Sequence, residues 1–314
     1  MSSRLEPLTE PAAAVPARRR WRASRAATSQ FSSVLGQIKA DPLAIAAGCV
    51  LLGFMLIAVI GPWIVPYDPT ERTDGPDGGL AYLFPPSSEH LLGTTNLGRD
   101  IFSQLLVGAR AALLVGGIAA VAEAVIGVLL GLVAGYFKGF VDNIVMRALD
   151  VAYALPIEPV AIVLLVFLGQ SIWTVILAIV LLSWRAAARV IRAQVLSVSS
   201  RSFVKGARAV GASNTRIMFR HILPNVLPIA VVYLPVGFGN AIIAEAAISF
   251  LGFGDPNTTT WGQMLHEVFT AGATDTAWWW VLAPGLAITV VVASVFFVTR
   301  AFEDILNPRL SSKR

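Results

Sequence analysis

The feature that most constrains this chain is a series of apolar stretches, each long enough to cross a lipid bilayer. A helix of about 20 residues spans the hydrocarbon core of a membrane. The first stretch covers residues 43–65 and the second covers residues 111–136. Four more follow, at residues 151–169, 171–188, 226–251 and 278–302. Because 56% of the 314 residues are hydrophobic and only 14% are charged, we predict an all-α integral membrane protein with six transmembrane helices and exclude a water-soluble enzyme.

The distribution of basic residues predicts which side of the membrane each loop faces. Lysine and arginine accumulate in the cytoplasmic loops of membrane proteins. With the N-terminus inside, 21 of the 24 basic residues are cytoplasmic, and only Arg72, Arg99 and Arg110 lie outside. Both termini are therefore predicted to be cytoplasmic. The predicted divisions are a basic tail with a short surface helix (1–42), the first transmembrane helix (43–65), an extracytoplasmic loop (66–110), a five-helix core (111–302) and a cytoplasmic C-terminus (303–314).

Small and aromatic residues in the spans have predicted structural roles. Gly127, Gly131 and Gly135 recur every four residues, a spacing that lets two membrane helices approach closely, so we predict that they pack against another helix of this chain. Cys49 is the only cysteine, which excludes a disulfide framework, and it is predicted to be a small core side chain. The three tryptophans at residues 278–280 are predicted to form an anchor at the membrane interface.

The segment between the fourth and fifth spans has the pattern most indicative of function. From Arg185 to Arg220 it carries eight basic residues and no acidic one. Gly211 can adopt the positive φ of a turn, and Pro224 suits the first turn of a helix. Residues 189–224 are therefore predicted to form a helix, a turn at Gly211 and a second helix that protrude into the cytoplasm. Such a protrusion can dock into another protein.

Several segments resemble one family of transporters. The sequence KGARAVGAS at residues 205–213, continuing to FRHILPN at residues 219–225, resembles the coupling loop of binding-protein-dependent ABC importer permeases. HLLGTTNLGRD at residues 90–100 and the stretch from EAAISFLGFG to Gly262 are similar to the C-type permeases of dipeptide, oligopeptide and nickel importers. NPRL at residues 307–310 is similar as well. The resemblance covers the chain from about residue 43 to its end.

This resemblance implies a type I ABC importer permease fold in a bacterial inner membrane. It implies that the chain is a permease subunit of an ATP-driven importer, with di- or oligopeptides as the expected cargo, although close relatives also carry nickel, glutathione and sugars. The implied partners are a second permease that completes a heterodimer around the path, one or two ABC ATPase subunits and an extracytoplasmic solute-binding protein. No nucleic-acid partner is expected.

The resemblance also assigns residues to ATPase coupling. These are Lys205, Gly206, Ala207, Gly211, Ala212, Arg216, Arg220 and Pro224. The family usually has Glu-Ala-Ala where this chain begins the loop with Lys205, and it usually has aspartate where this chain has Thr95. The chain has no Gly-x-x-x-x-Gly-Lys-Ser/Thr phosphate loop. ATP and Mg²⁺ are therefore expected on the partner subunits, and no cofactor, metal site or catalytic residue is predicted here.

Four acidic residues lie within or near the spans, namely Glu123, Asp150, Glu158 and Glu245. An ionisable side chain in hydrocarbon costs about 2.5 to 3.5 kcal/mol on insertion scales, so each is expected to face protein or water. Asp150 is predicted to pair with Arg147. Glu158, which follows Pro156 at a predicted helix break, and Glu245 are candidates to line the translocation path. Glu245 could instead brace the partner permease.

The alternative interpretation of these acids is a self-sufficient carrier coupled to protons. The protruding cytoplasmic loop argues against it, because a proton-coupled carrier does not need a docking element of this kind.

Overall fold

The computed structural model describes the backbone of residues 41–74 and 79–306 and the burial of side chains up to residue 301. The predicted basic tail, the surface helix and the NPRL sequence lie outside the described residues. Within the described part, the structure is helical and its only β pairing is two isolated bridges. In chain order its helices are α1 (Pro42–Ile64), α2 (Ile101–Phe137), α3 (Gly139–Ala154), α4 (Ile157–Leu168), α5 (Ile172–Ser183), α6 (Arg185–Ser199), α7 (Ser202–Ala209), α8 (Asn214–Arg216), a π-helical turn (Ile217–Ile222), α9 (Leu223–Phe250), α10 (Trp261–Thr270) and α11 (Trp278–Leu306).

Five helical units are long and apolar enough to cross a membrane. They are α1, α2, α5 with α6, the unit from α8 to the end of α9, and α11. Helices α3 and α4 meet the same criterion only as a pair, and the pair is bent by 91°. The prediction of an all-α membrane protein is therefore confirmed, whereas a count of six spans requires that the bent pair be one span.

Helix α2 begins earlier than the apolar pattern predicts. Its first residue is Ile101 and not Ala111, so residues 101–110 of the segment predicted to be an extracytoplasmic loop are helical. Asp100 caps the helix, because its Oδ2 accepts a hydrogen bond from the backbone N–H of Ser103 at 2.8 Å. Ser103 and Gln104 interrupt the apolar pattern, but both are buried against the preceding loop. The hydroxyl of Ser103 and the amide nitrogen of Gln104 have hydrogen-bond partners inside the protein, and pattern alone cannot reveal that.

The glycines of α2 pack against α6, as predicted. A Cβ added at Gly131 would lie 2.7 Å from the carbonyl oxygen of Ala188, and one added at Gly135 would lie 2.8 Å from Cβ of Val195. This pair of helices has the most extensive contact in the described part of the chain. The glycine spacing therefore identifies an intramolecular interface.

Two predictions about single side chains are wrong. Cys49 is exposed on α1, because α1 buries only a narrow stripe of small residues, Ala44, Ala47, Ala58 and Gly61. Trp280 is completely buried in the core, whereas Trp278 is 58% exposed. Only Trp278 therefore has the exposure expected of an interfacial anchor.

Helix α3 is joined to α6 by ion pairs that the sequence did not predict. Asp150 lies 3.5 Å from Arg189 of α6, so its predicted pairing with Arg147 is wrong. Asp142 accepts two hydrogen bonds from the guanidinium of Arg192, at 2.5 and 2.6 Å. The long contact between α2 and α6 brings α6 alongside α3, so its arginines reach carboxylates that are distant in sequence.

The loop between α1 and α2 is held by buried polar side chains. Nδ1 of His90 lies 2.9 Å from Oδ1 of Asp100, and both residues are almost completely buried. Thr95 replaces the aspartate that is usual in the resembled family. Its hydroxyl accepts hydrogen bonds from the N–H groups of Leu97 and Arg99, at 3.2 and 3.1 Å. A carboxylate oxygen could accept the same bonds, so this departure from the family pattern preserves the turn.

Candidate functional site

The loop between α6 and α9 folds around a turn at Gly211. The φ angle of Gly211 is +81°, as the sequence predicts. Its N–H donates to the carbonyl of Arg208, and the N–H of Ala212 donates to the carbonyl of Ala207, both at 3.1 Å. These two bonds form a Schellman motif, which ends a helix and satisfies its last carbonyls. Helix α7 is therefore closed by a defined turn and not by a flexible link.

A buried seam holds the loop against the ends of the long helices. Val204 of α7 is 1% exposed and packs with Val195 of α6 and Ile217 and Ile222 of the π-helical turn. Directly after α7, Val210 is 85% exposed. The loop thus presents an apolar tip on a fixed base.

The π-helical turn connects the loop to α9. Pro224 lies in the first turn of α9, as predicted, but the residues before it are helical too, so the helical unit begins at Asn214 and not at residue 226. Proline has no N–H to donate. The N–H of Leu223 donates instead to the carbonyl of Met218, and Asn225 Nδ2 donates to the carbonyl of His221 at 2.7 Å. Single π-helical turns often occur at functional sites.

The predicted coupling residues lie together on this loop. Their positions differ only in exposure: Lys205, Gly206, Gly211, Arg216, Arg220 and Pro224 are exposed, whereas Ala207 and Ala212 are half-buried. In the part of the chain that the structure describes, none of the basic residues among them has a carboxylate within 4 Å. The loop therefore offers several cations that no acid of the described chain neutralises.

Two adjoining cavities of about 280 Å³ each open beside α7. They share Ser199 and Arg208, and Lys205 lines one while Lys138 lines the other. The guanidinium of Arg208 lies 5.6 Å from the ring centroid of Tyr136. This arrangement forms a basic cleft between the end of α2 and the loop.

The two acids predicted to line a path have different surroundings. Glu245 is 3% exposed, and Ser249 Oγ donates to its Oε1 at 2.6 Å. Glu158 is half-buried in the first turn of α4, directly after the bend. The structure therefore brings only Glu158 near the surface of the chain.

The comparisons with known proteins identify the family. Residues 127–312 match the family described as binding-protein-dependent transport system inner membrane component. The chain belongs to that family. Residues 29–86 also match the N-terminal TM domain of oligopeptide transport permease C. The protein is thus a multi-pass inner-membrane permease and not an enzyme.

Similar permeases cover most of its length. The chain is 34% identical to the dipeptide transport system permease protein DppC of Alkalihalophilus pseudofirmus, over 91% of this chain and 92% of that protein. It is 36% identical to the di/tripeptide transport system permease protein DppC of Pseudomonas aeruginosa, over 82% of this chain and 87% of that protein. These names give no support to a self-sufficient proton-coupled carrier.

The fold is similar to that of a solved transporter chain. An inward-facing structure of the MetNI methionine ABC transporter matches with a TM-score of 0.53 and 16% identity, over 64% of this chain and 96% of that chain. At this identity the likeness concerns the fold alone.

Sequence reasoning missed three residues in and beside this loop of the permease. Arg208 lies within the basic run but is absent from the residues assigned to coupling, although it contacts both cavities. Tyr136 was read only as the end of a span, yet its hydroxyl donates to Oδ1 of Asn214 at 2.7 Å. Lys138 follows α2 with a φ of +56°. The position of Lys138 directly after a predicted span was the sequence signal that could have identified this side of the loop.

Proposed function

We propose that this permease is the transmembrane subunit of an ATP-driven importer of di- or oligopeptides. It forms a heterodimer with a second permease, and the peptide passes between them. Separate ABC ATPase subunits bind the cytoplasmic loop, and an extracytoplasmic solute-binding protein delivers the cargo. The peptide assignment rests on the relatives named as dipeptide and di/tripeptide permeases, which align over 82% to 91% of this chain.

The loop supports docking of an ATPase through its shape and its charge. Val210 is 85% exposed and Phe203 of α7 is 42% exposed, and an exposed apolar tip on a rigid turn suits burial in a partner. The cations around this tip have no carboxylate within 4 Å in the described part of the chain. A groove that combines apolar and acidic groups is therefore the complementary surface.

Glu158 remains our candidate for lining the path. It is half-buried and follows the 91° bend between α3 and α4, where the interrupted backbone can face a water-filled space. Glu245 is less suited to that role, because its carboxylate already accepts a hydrogen bond from Ser249 within the chain. We assign Glu245 to stabilising the last turns of α9 through its hydrogen bond with Ser249.

The orientation follows from the charges. We propose that the bent pair α3 and α4 counts as one span, so that six spans place both termini and the coupling loop in the cytoplasm. The loops before α2 and around α10 are then extracytoplasmic.

Reconstitution tests the proposed function. The permease, its partner permease, the ATPases and the binding protein are placed in proteoliposomes, and uptake of radiolabelled di-alanine is measured. We expect ATP-dependent uptake that disappears when the catalytic glutamate of the ATPase is replaced, and no ATP hydrolysis by the isolated permease. Uptake that persists in that ATPase variant and collapses with an uncoupler would contradict the proposal and favour a proton-coupled carrier.

A further inference from the structure

The proposed function gives no role to Glu123, a buried acid near the middle of α2. This residue is 8% exposed. Among the side chains that the structure describes, none forms an ion pair with its carboxylate. A buried carboxylate without a cation or a hydrogen-bond donor is unfavourable. A positively charged group from outside this chain would therefore stabilise the ionised form of Glu123.

The backbone of α9 makes room for this carboxylate. A Cβ added at Gly237 would lie 2.9 Å from Oε1 and 3.0 Å from Cδ of Glu123, so any larger residue would displace the acid. Gly237 is near the middle of α9, as Glu123 is near the middle of α2. The carboxylate therefore lies at mid-depth between two membrane-spanning helices, the depth at which many transporters bind their substrates.

Two polar residues of α9 lie beside this contact. Tyr233, Gly237 and Asn240 are spaced i, i+4 and i+7, so they share one face of the helix. Asn240 is exposed and Tyr233 is half-buried. Polar side chains at mid-depth in a membrane usually face protein or a water-filled cavity rather than lipid. This edge of α9 is therefore expected to meet the translocation path.

We propose that Glu123, together with Tyr233 and Asn240, forms a subsite for the ammonium group of a peptide in transit. The proposal rests on the proposed function as a peptide importer. A carboxylate accepts hydrogen bonds and attracts cations, and every unmodified peptide carries an ammonium group at its N-terminus. The amide of Asn240 and the hydroxyl of Tyr233 can bond to the adjacent peptide group. Gly237 leaves the space against α9 that the carboxylate occupies.

Charged thiol reagents can measure the electrostatic effect of the Glu123 carboxylate even when the transported solute is not known. In the assembled importer carrying Cys49→Ala, a cysteine is introduced as Asn240→Cys. This cysteine is treated with two methanethiosulfonate reagents, one carrying a cationic trimethylammonium group and one carrying an anionic sulfonate group. Each reaction rate is divided by the rate of the same reagent with Thr259→Cys in the external loop. We expect the cationic reagent to be favoured at least tenfold, and Glu123→Gln to abolish this preference. Tyr233→Cys is the second reporter if Asn240→Cys does not assemble.

Absence of reaction at both reporters, or a preference that survives Glu123→Gln, would overturn the proposal. Addition of ATP and of the binding protein loaded with di-alanine is expected to slow the reaction of the cationic reagent with the introduced cysteine at least threefold. A preference without this protection, combined with normal uptake by Glu123→Gln, would mean that Glu123 pairs with a cation of the partner permease, and it would also overturn the proposal.

Uptake provides an independent readout. We expect Glu123→Gln to lower di-alanine uptake at least tenfold, Glu123→Asp to retain more activity, and Glu89→Gln, an exposed acid in the external loop, to leave uptake unchanged. Normal uptake by Glu123→Gln would refute the subsite while the proposed function stands. A wild-type importer that takes up no di-alanine would contradict the peptide function instead, and the reagent preference would still report on Glu123.

Discussion

Gly211 shows how one residue can shape the coupling loop. Its φ of +81° lies in the region that side chains with a Cβ rarely adopt. An added Cβ would meet no atom within 4 Å, so crowding would not contribute to the effect of a substitution. Any effect would come from backbone strain, which makes this position a clean test of whether the turn is required.

We predict that Gly211→Val uncouples transport while the permease still inserts and assembles. A β-branched residue resists positive φ, and the strain is about 1 to 3 kcal/mol. Uptake and transport-linked ATP hydrolysis in proteoliposomes measure the effect. Gly211→Asn is the matched control, because asparagine tolerates this conformation. Normal transport by Gly211→Val would mean that docking tolerates another turn geometry.

The residue-scale features that could be predicted are those with local causes. The positive φ of Gly211 and the position of Pro224 in a first turn follow from the backbone preferences of glycine and proline. The pairing of Asp150 with Arg189 and the burial of Glu245 depend on which helices become neighbours. No local pattern specifies that, so sequence reasoning chose the nearest arginine for Asp150 and left Glu245 between lining the path and bracing the partner permease.

At the scale of elements, the contact between α2 and α6 depends on small residues. The carbonyl of Ala188 occupies the space that a side chain at Gly131 would need. In a membrane, helices associate through close packing and not through the hydrophobic effect. The glycine spacing therefore predicted the interface, although it could not identify α6 as the partner helix.

We predict that Gly131→Val destabilises the permease by about 1 to 3 kcal/mol, the usual range for overpacking. The thermal unfolding of the purified protein in detergent measures this loss. Gly117→Val is the matched control, because Gly117 lies in the same helix and an added Cβ there has no neighbour within 4 Å. Equal losses in the two variants would show that helix propensity, and not packing, accounts for the effect.

The bend between α3 and α4 combines a local cause with a distant one. Pro156 has no N–H to offer the carbonyl of Ala152, so the helix breaks there. Arg185 of α6 donates to that carbonyl instead and also to the carbonyl of Leu155 at 3.3 Å. Its guanidinium lies 4.8 Å from the ring centroid of Tyr153. The sequence predicts the break, whereas the arginine that stabilises it comes from another helix.

We predict that Arg185→Gln lowers the free energy of unfolding by about 1 to 2 kcal/mol, because a charged donor is lost from the end of α3. Thermal unfolding measures this change, and Arg201→Gln, at an exposed arginine of the coupling loop, is the control. Unchanged stability of Arg185→Gln would indicate that water replaces the guanidinium at the bend.

At the scale of the whole molecule, the proposed orientation can be tested by labelling. In the Cys49→Ala chain, we predict that Thr259→Cys reacts with an impermeant maleimide in intact cells, whereas Ser200→Cys reacts only after permeabilisation. The basis is the excess of basic residues in the loops assigned to the cytoplasm. Labelling of Ser200→Cys in intact cells would contradict the six-span arrangement.

The role of Lys205 depends on its surroundings in the assembled importer. In the described part of the chain, this lysine has no carboxylate within 4 Å and lines a cleft with Arg208. As a solvated charge it would contribute about 0 to 1 kcal/mol to any exposed pair. If docking removes it from water, it needs an acid on the ATPase, and breaking such a pair costs about 3 to 5 kcal/mol.

We predict that Lys205→Glu weakens assembly with the ATPase and lowers transport-linked ATP hydrolysis, because it places a carboxylate opposite the acid that the lysine requires. The arrangement favours this outcome, because Lys205 lies on α7 and the exposed Val210 directly follows the end of that helix. Burying Val210 in a partner would also remove water from around Lys205. Co-purification of the ATPase and hydrolysis by the whole importer measure the effect, with Arg201→Glu as a charge reversal at the start of the same helix. Wild-type assembly and coupling in Lys205→Glu would mean that docking relies on the shape set by Ala207, Gly211 and Pro224, and that the lysine remains solvated in the complex.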